Sequence, residues 1–311
     1  MKIVLLDHAT IGDVPELETL HELGEFVSYK HTLKEDTIER GTGATIILTN
    51  KVVIDREVME AIPTLRLVCV LATGMNNIDL AAAEELGVEV KNVAGYSTNS
   101  VAQHTFAILF YLLNHLRSYD EYVQSGEYAK SEIFTNLGFE YWELTNKRFG
   151  IIGLGAIGKK VAEIATVFGA EVIYYSTTGK NTNTTYKRVE LDELLQTADV
   201  ISIHAPLTEQ THKLVTTEQL SKMKETAILL NTGRGGIIDE QALVVALQER
   251  QIAGVALDVL EKEPIQIDNP LVGYKGTNLL ITPHIAWASK EARTKLLLDT
   301  VANIKSFLNE E

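Results

Sequence analysis

Residues 150–176, "GIIGLGAIGKKVAEIATVFGAEVIYYS", hold the pattern from which the architecture can be read. An apolar β-type run meets Gly153, Gly155 and Gly158, an amphipathic helical pattern follows, and a second β-type run begins after Gly169. In that setting the three glycines have separate duties. The first permits a tight turn, the second lets a ligand approach the backbone, and the third lets the helix pack closely on the strand. The helix start adds N–H donors and a positive dipole end suited to a pyrophosphate, with Ala156 and Ile157 as its first residues.

The same rhythm continues outward. After the opening pair "RFGIIG" and "EVIYYS" come the β-type runs "DVISIHA", "AILLN", "GVALDV" and "NLLIT", separated by helical patterns. Six strands with helical crossovers form a Rossmann nucleotide-binding domain. Upstream, "KIVLLD", "EFVSYK", "ATIILTN", "LRLVCVLAT" and "VEVKNV" alternate with shorter helical patterns, and Gly24, Gly41 and Gly87 fall where helices would end. That is a smaller, five-stranded, flavodoxin-like domain. The fold class expected is therefore α/β, with two doubly wound parallel-sheet domains. "STNSVAQHTFAILFYLLNHLRSYDEYVQSGE" reads as one helix of nearly thirty residues, and "SKEARTKLLLDTVANIKSFLNE" as a closing helix. The boundaries expected are 99–286 for the nucleotide-binding domain, with 1–98 plus 287–311 as the substrate domain.

Composition narrows the partners. A net charge of −14 argues against nucleic acid or an anionic membrane, because both need a basic face. The longest apolar stretches are too short to span a bilayer. The single cysteine, Cys69, cannot form an internal disulfide, which suits a reducing compartment. The expectation is a soluble cytoplasmic protein acting on a small molecule.

Ligands of open parallel sheets bind beyond the carboxyl ends of the strands. Three consecutive strands deliver a chargeable residue there: Arg234 after "AILLN", Glu263 after "GVALDV" and His284 after "NLLIT". His204, within "DVISIHA", is set aside as an acid because a histidine inside a strand run is more often a core residue. A guanidinium fork can bind both oxygens of a 2-keto acid's carboxylate and polarise the adjoining ketone. His284 would then donate a proton to the carbonyl oxygen, and Glu263 would orient the imidazole. No paired His, Cys or Asp spacing points to a metal. At the end of the second strand an NAD site wants a carboxylate, and Ser176 stands there with Lys180 nearby. NAD(H) and NADP(H) both remain open.

"GLGAIG", "HAPLTEQT", "NTGRGGIID", "LDVLEKEP" and "TPHIAW" occur in the order found in D-isomer-specific 2-hydroxyacid dehydrogenases, and the chain resembles that family along essentially its full length. The resemblance assigns Arg234 to substrate, His284 to acid/base catalysis and Glu263 to the histidine. It adds Asp258 near the nicotinamide, and His204, Pro206 and Thr232 to the cofactor site. "VLATGMNNID" is similar to a loop whose backbone N–H groups at Thr73, Gly74 and Met75 bind the substrate carboxylate, with Ser97 and Trp287 as further substrate contacts. The motifs "LATGMNNID", "YSTNSVAQ" and "TPHIAWAS" look most like glycerate dehydrogenases, also called hydroxypyruvate reductases. D-glycerate/hydroxypyruvate or glyoxylate is then the expected substrate, with D-lactate or another 2-keto acid as the alternative. The family is usually dimeric, and the aromatic segment 128–142 would serve as an arm to a second subunit. A formate dehydrogenase would carry glutamine in place of Glu263. A nucleotide-sensing binding protein on the same scaffold is the alternative of another class.

Overall fold

The computed structural model describes residues 1–310. The chain forms two compact units, Met1–Ser97 with the chain from Ala288 onward, and Thr98–Trp287. Both are α/β units built on parallel sheets.

In the first unit the strands are β1 (Lys2–Leu5), β2 (Glu25–Ser28), β3 (Ile46–Thr49), β4 (Leu67–Val70) and β5 (Glu89–Asn92). They are parallel in the order β2-β1-β3-β4-β5, the doubly wound 2-1-3-4-5 arrangement. Strands β3 and β4 are buried on both faces and apolar throughout except for Thr49 at the end of β3. Helix α1 is Thr37–Gly41, α2 is Arg56–Ala61 and α3 is Leu80–Leu86. Asp55 and Asp79 cap α2 and α3 by accepting from Val58 N and Ala82 N. Cys69 lies in this core, and burial pushes its thiol up to about 12, so it stays protonated and unreactive.

Two expectations need correction here. The segment read as a helix before β2 is a 3-10 helix, Pro15–Glu22, and the next pattern splits into a 3-10 turn, Lys34–Asp36, and the five-residue α1. In Pro15–Glu22 only Leu20 is buried, so little tertiary packing is available to stabilise a full α-helix. Of the three glycines read as helix ends, only Gly87 takes the left-handed cap, with φ 68°. Gly24 instead lets the backbone pass Met1, since a Cβ there would sit 2.6 Å from the Met1 carbonyl. Gly41 is the last residue of α1 and is packed against Ile62.

The second unit opens with α4 (Thr98–Leu113) and α5 (Leu116–Gln124). The expected thirty-residue helix is therefore broken, at His115, whose φ is 51°. The His115 amide bonds back to Leu112 and its Nε2 meets the Glu140 carbonyl at 3.1 Å. The break separates two different surfaces: α4 buries eight residues, whereas α5 buries none.

Strands β6 (Arg148–Ile152), β7 (Glu171–Tyr175), β8 (Lys187–Arg188), β9 (Val200–Ile203), β10 (Ile228–Asn231), β11 (Gly254–Leu257) and β12 (Leu279–Ile281) follow. Their helices are α6 (Ala156–Val167), α7 (Leu191–Thr197), α8 (Thr217–Ser221) and α9 (Glu240–Gln248), and α10 (Lys290–Glu310) belongs to the first unit. All pairs are parallel, in the order β12-β11-β10-β9-β6-β7-β8. Counted from β6, this is the 3-2-1-4-5-6 dinucleotide-binding order with one strand added. The strand absent from the sequence reading is β8, two exposed basic residues with no apolar periodicity to reveal it. Segment 128–142 holds one 3-10 turn, Tyr128–Lys130, and leaves Phe134 and Leu137 strongly exposed. Among the described residues no helix is long and apolar enough to cross a membrane.

Candidate active site

Because every strand of the second unit runs the same way, their carboxyl ends share one edge of the sheet. The turn after β10 carries Arg234, the loop after β11 carries Asp258 and Glu263, and the loop after β12 carries His284.

His284 and Glu263 are directly joined. Nδ1 of the imidazole lies 2.6 Å from Glu263 Oε2, while Glu263 Oε1 accepts from Leu260 N at 2.9 Å. The carboxylate thus closes its own turn with one oxygen and holds the ring with the other. Nδ1 as donor leaves Nε2 directed away from the glutamate, and both side chains are part-exposed. His284 has φ 54°, a left-handed conformation that costs a non-glycine residue roughly 1–3 kcal/mol and persists only where neighbours impose it.

Those neighbours are supplied by Asp258. Its backbone carbonyl accepts from His284 N at 2.9 Å. Its buried carboxylate accepts from Ile285 N through Oδ1 at 2.9 Å and from Ala286 N through Oδ2 at 2.8 Å. Thr282 Oγ1 donates to Oδ1 at 2.6 Å. One residue that the sequence reading missed completes the group. His104, on α4, places Nε2 3.0 Å from Thr282 Oγ1 and 3.6 Å from Asp258 Oδ1. The available signal was the polar triplet Gln103-His104-Thr105 interrupting an apolar helix.

Arg234 reaches the same edge by another device. Its Nη1 donates to the Gly233 carbonyl at 2.8 Å, and the Asn231 side chain braces the turn at Arg234 O and Gly233 N. A Cβ on Gly235 would lie 1.8 Å from the Leu260 carbonyl. Glycine at 235 is what allows the arginine turn to lie against the loop of Glu263. The arginine itself bonds within its own turn.

Beyond β6, the three glycines of the cofactor turn behave differently from one another. Gly153 has φ 92°, and a Cβ there would press on Ala205 N at 2.8 Å; one on Gly158 would meet the Gly153 carbonyl at 2.3 Å. A Cβ on Gly155 would meet nothing within 4 Å. Two glycines are demanded by the protein and the middle one faces open space, beside the first turn of α6 where Ala156 and Ile157 sit. Free space at a helix start of unpaired N–H groups fits a dinucleotide pyrophosphate.

Ser176, just past β7, is buried, and its Oγ accepts from Asn181 N at 3.4 Å. Asn181 in turn donates to the Leu154 carbonyl at 2.8 Å, tying this loop to the glycine turn. Lys180 is exposed. A second cation that the sequence reading missed lies here: Arg188, on β8, donates from Nη1 to the Gly179 carbonyl at 2.9 Å. It sits twelve residues downstream, in the strand that had no readable pattern.

His204 follows β9, with Pro206 exposed two residues later. Its Nε2 meets Ser202 Oγ at 2.8 Å and its Nδ1 meets Thr232 Oγ1 at 3.3 Å. Burial pulls its pKa down to about 3, so the ring is neutral at working pH. Thr232 is buried and also contacts Thr105 Oγ1 at 3.2 Å. Trp287 is part-buried at the end of this unit. In the first unit, Thr73 Oγ1 donates to the Val93 carbonyl at 3.2 Å, Gly74 is part-buried, Met75 packs against the core and Ser97 is buried. Among the described residues no three His, Cys, Asp or Glu side chains gather as a metal ion would require.

Comparison with known proteins places this geometry among relatives. Residues 106–286 match the family model for the NAD-binding domain of D-isomer specific 2-hydroxyacid dehydrogenases. A hydroxypyruvate reductase of Blautia hydrogenotrophica is 41% identical, with 99% of this chain and 97% of that protein covered. A glycerate dehydrogenase of Methylorubrum extorquens is 36% identical, over 99% of this chain and 96% of that protein. Among solved structures, an acyclic imino acid reductase in complex with NADPH and D-Arg superposes with a TM-score of 0.89 at 33% identity, covering 100% of this chain and 98% of that one.

Proposed function

The chain belongs to the D-isomer-specific 2-hydroxyacid dehydrogenase family, and from that footing we propose that it interconverts hydroxypyruvate and D-glycerate, with glyoxylate as a second small substrate. The observation that carries the reading is the 2.6 Å bond between His284 and Glu263, next to the arginine-bearing turn. When bound, the nicotinamide dinucleotide supplies the hydride that goes to the substrate's C2. The chain does the rest. Gly153, Gly155 and Gly158 with the start of α6 hold the dinucleotide's pyrophosphate. The Arg234 fork pairs with the substrate carboxylate and polarises the ketone. His284 Nε2 delivers a proton to the ketone oxygen, and Glu263 accepts from Nδ1 and keeps the ring oriented. In the reverse direction the neutral ring takes that proton back. Thr73, Gly74, Met75, Ser97 and Trp287 are assigned to substrate on the strength of the family resemblance.

The substrate domain in this proposal is 1–98 with 287–311, and the nucleotide domain is 99–286. A homodimer in the cytoplasm completes the proposal, supported by exposed Phe134 and Leu137 in segment 128–142. Light scattering on the purified chain would read the dimer, and a single-chain mass would remove it.

The activity is tested by initial-rate oxidation of NADH and NADPH, each with hydroxypyruvate, glyoxylate, pyruvate and a longer 2-keto acid. Preference for hydroxypyruvate supports the assignment, and preference for pyruvate moves it to a D-lactate enzyme. Tight dinucleotide binding without turnover of any of them favours a nucleotide-sensing role. His284→Ala is expected to lower kcat by about 10²–10⁴ while leaving dinucleotide affinity intact.

A further inference from the structure

The conformation of His284 rests on Asp258 and, behind it, Thr282, and His104 stands at the end of that chain. An ionised Asp258 only accepts hydrogen bonds, so the proton in the 2.6 Å contact with Thr282 belongs to the threonine. With its proton committed, Thr282 Oγ1 can only accept in its 3.0 Å contact with His104. Nε2 of His104 therefore carries a hydrogen. The order of donation runs from His104 to Thr282 to Asp258, and Asp258 in turn collects the amides of Ile285 and Ala286 and, through its carbonyl, that of His284. His104 Nε2 also lies 3.6 Å from Asp258 Oδ1 itself. A carboxylate at the centre of such a network needs its donors, because a lost partner leaves buried charge unsatisfied.

We infer that His104 is a positioning residue. By donating from Nε2 to Thr282 it fixes Asp258, which in turn imposes the left-handed backbone at His284 and aims the imidazole. The consequence for rate rests on the activity proposed above, whereas the consequence for loop order does not. Misplacing an acid by a fraction of an ångström slows proton transfer without weakening carboxylate binding at Arg234.

The decisive experiment compares His104→Phe, which keeps a ring of similar size without the donor, and His104→Gln, whose amide nitrogen can replace Nε2–H. Two readouts are taken on each full-length variant: steady-state kinetics with hydroxypyruvate, and amide hydrogen exchange of the segment around 285–286. His104→Phe is expected to lower kcat by about 10- to 100-fold, with KM changed less than about threefold, and to speed exchange at Ile285 and Ala286. His104→Gln is expected to recover most of both. Unchanged exchange at these amides in His104→Phe overturns the inference. So does an equal loss in both variants that tracks their melting temperatures, which would make His104 a packing residue only. Should the wild-type chain reduce no 2-keto acid, the proposed activity falls while the exchange comparison still decides the role of His104.

Discussion

Two glycine-rich turns leave strands β6 and β10 of the same sheet, and they use glycine for opposite purposes. In the turn after β6, Gly155 faces emptiness: a Cβ there meets no atom within 4 Å. In the turn after β10, Gly235 faces protein, with the Leu260 carbonyl 1.8 Å from where a Cβ would be. The first turn keeps open space, and the second removes a side chain so that the loops of Arg234 and Glu263 can touch. Between them lies the end of β9. Gly153 would press on His204 and Ala205 if it had a Cβ, and Gly233 would come within 3.1 Å of the Ile203 and Ala205 carbonyls. Sequence texture alone does not distinguish a ligand cradle from a loop junction; the atoms facing the missing Cβ do.

The contrast is broken most severely at Gly235. Gly235→Ala drives a methyl into backbone, which no rotamer change can relieve, so the loops must part. A loss of about 3 kcal/mol in urea unfolding, with activity lost alongside, is expected. A variant of normal stability and normal kcat/KM would mean that the junction is looser than 1.8 Å implies.

Next comes Arg234→Lys in the same turn, which removes no packing but replaces a two-pronged donor with a point charge. The expected result is a KM for hydroxypyruvate raised by roughly 10- to 100-fold, the worth of one charge-assisted hydrogen bond. An unchanged KM would return Arg234 to bracing its own turn. Gly155→Ala sharpens the other side of the comparison. Its backbone, φ −79° and ψ −160°, suits alanine, and the new methyl enters open space. The melting temperature should hold while dinucleotide binding weakens by about tenfold, because only the ligand meets the methyl. A fall in stability with unchanged binding would show that the space belongs to the protein after all.

How much of this was legible follows the physics of each signal. Doubly buried strands such as "AILLN" announce themselves, because both faces must be apolar, and with the helical intervals they carry the sheet orders. Arg234, Glu263 and His284 were singled out because strand ends mark the binding edge of a parallel sheet, and the structure places each of them in a loop at that edge. Element length was less visible. The kink at His115 goes with a contact to the distant Glu140 carbonyl, and the 3-10 form of Pro15–Glu22 with its scarce burial, and no local pattern encodes either. The supporting groups were hidden for a related reason. His104 acts through a contact far away in sequence, across to Thr282, and Arg188 reaches back to Gly179 from a strand with no apolar pattern. The resemblance gave Asp258 as a neighbour of the nicotinamide and offered no sign that its two oxygens hold the loop of His284.

The smallest effect at neutral pH is expected at His204, the residue touching both turns. Burial holds its pKa at about 3, below the 6.5 of an unhindered imidazole. Above pH 6.5 neither the folded nor the unfolded chain protonates it, and its contribution to stability is complete. As the pH falls from there toward 3, the unfolded chain gains a proton that the folded chain refuses, so stability is progressively lost. His204→Asn keeps a polar side chain toward Ser202 and Thr232 and removes the titration. At pH 7.5 it should cost about 1 kcal/mol, the ordinary price of a point change. Between pH 6.5 and 4 the variant should lose less stability than the wild type, and every other titrating group cancels in that difference. Parallel acid limbs in the two proteins would mean that His204 accepts a proton in place, and that the junction between the two turns is wetter than its packing indicates.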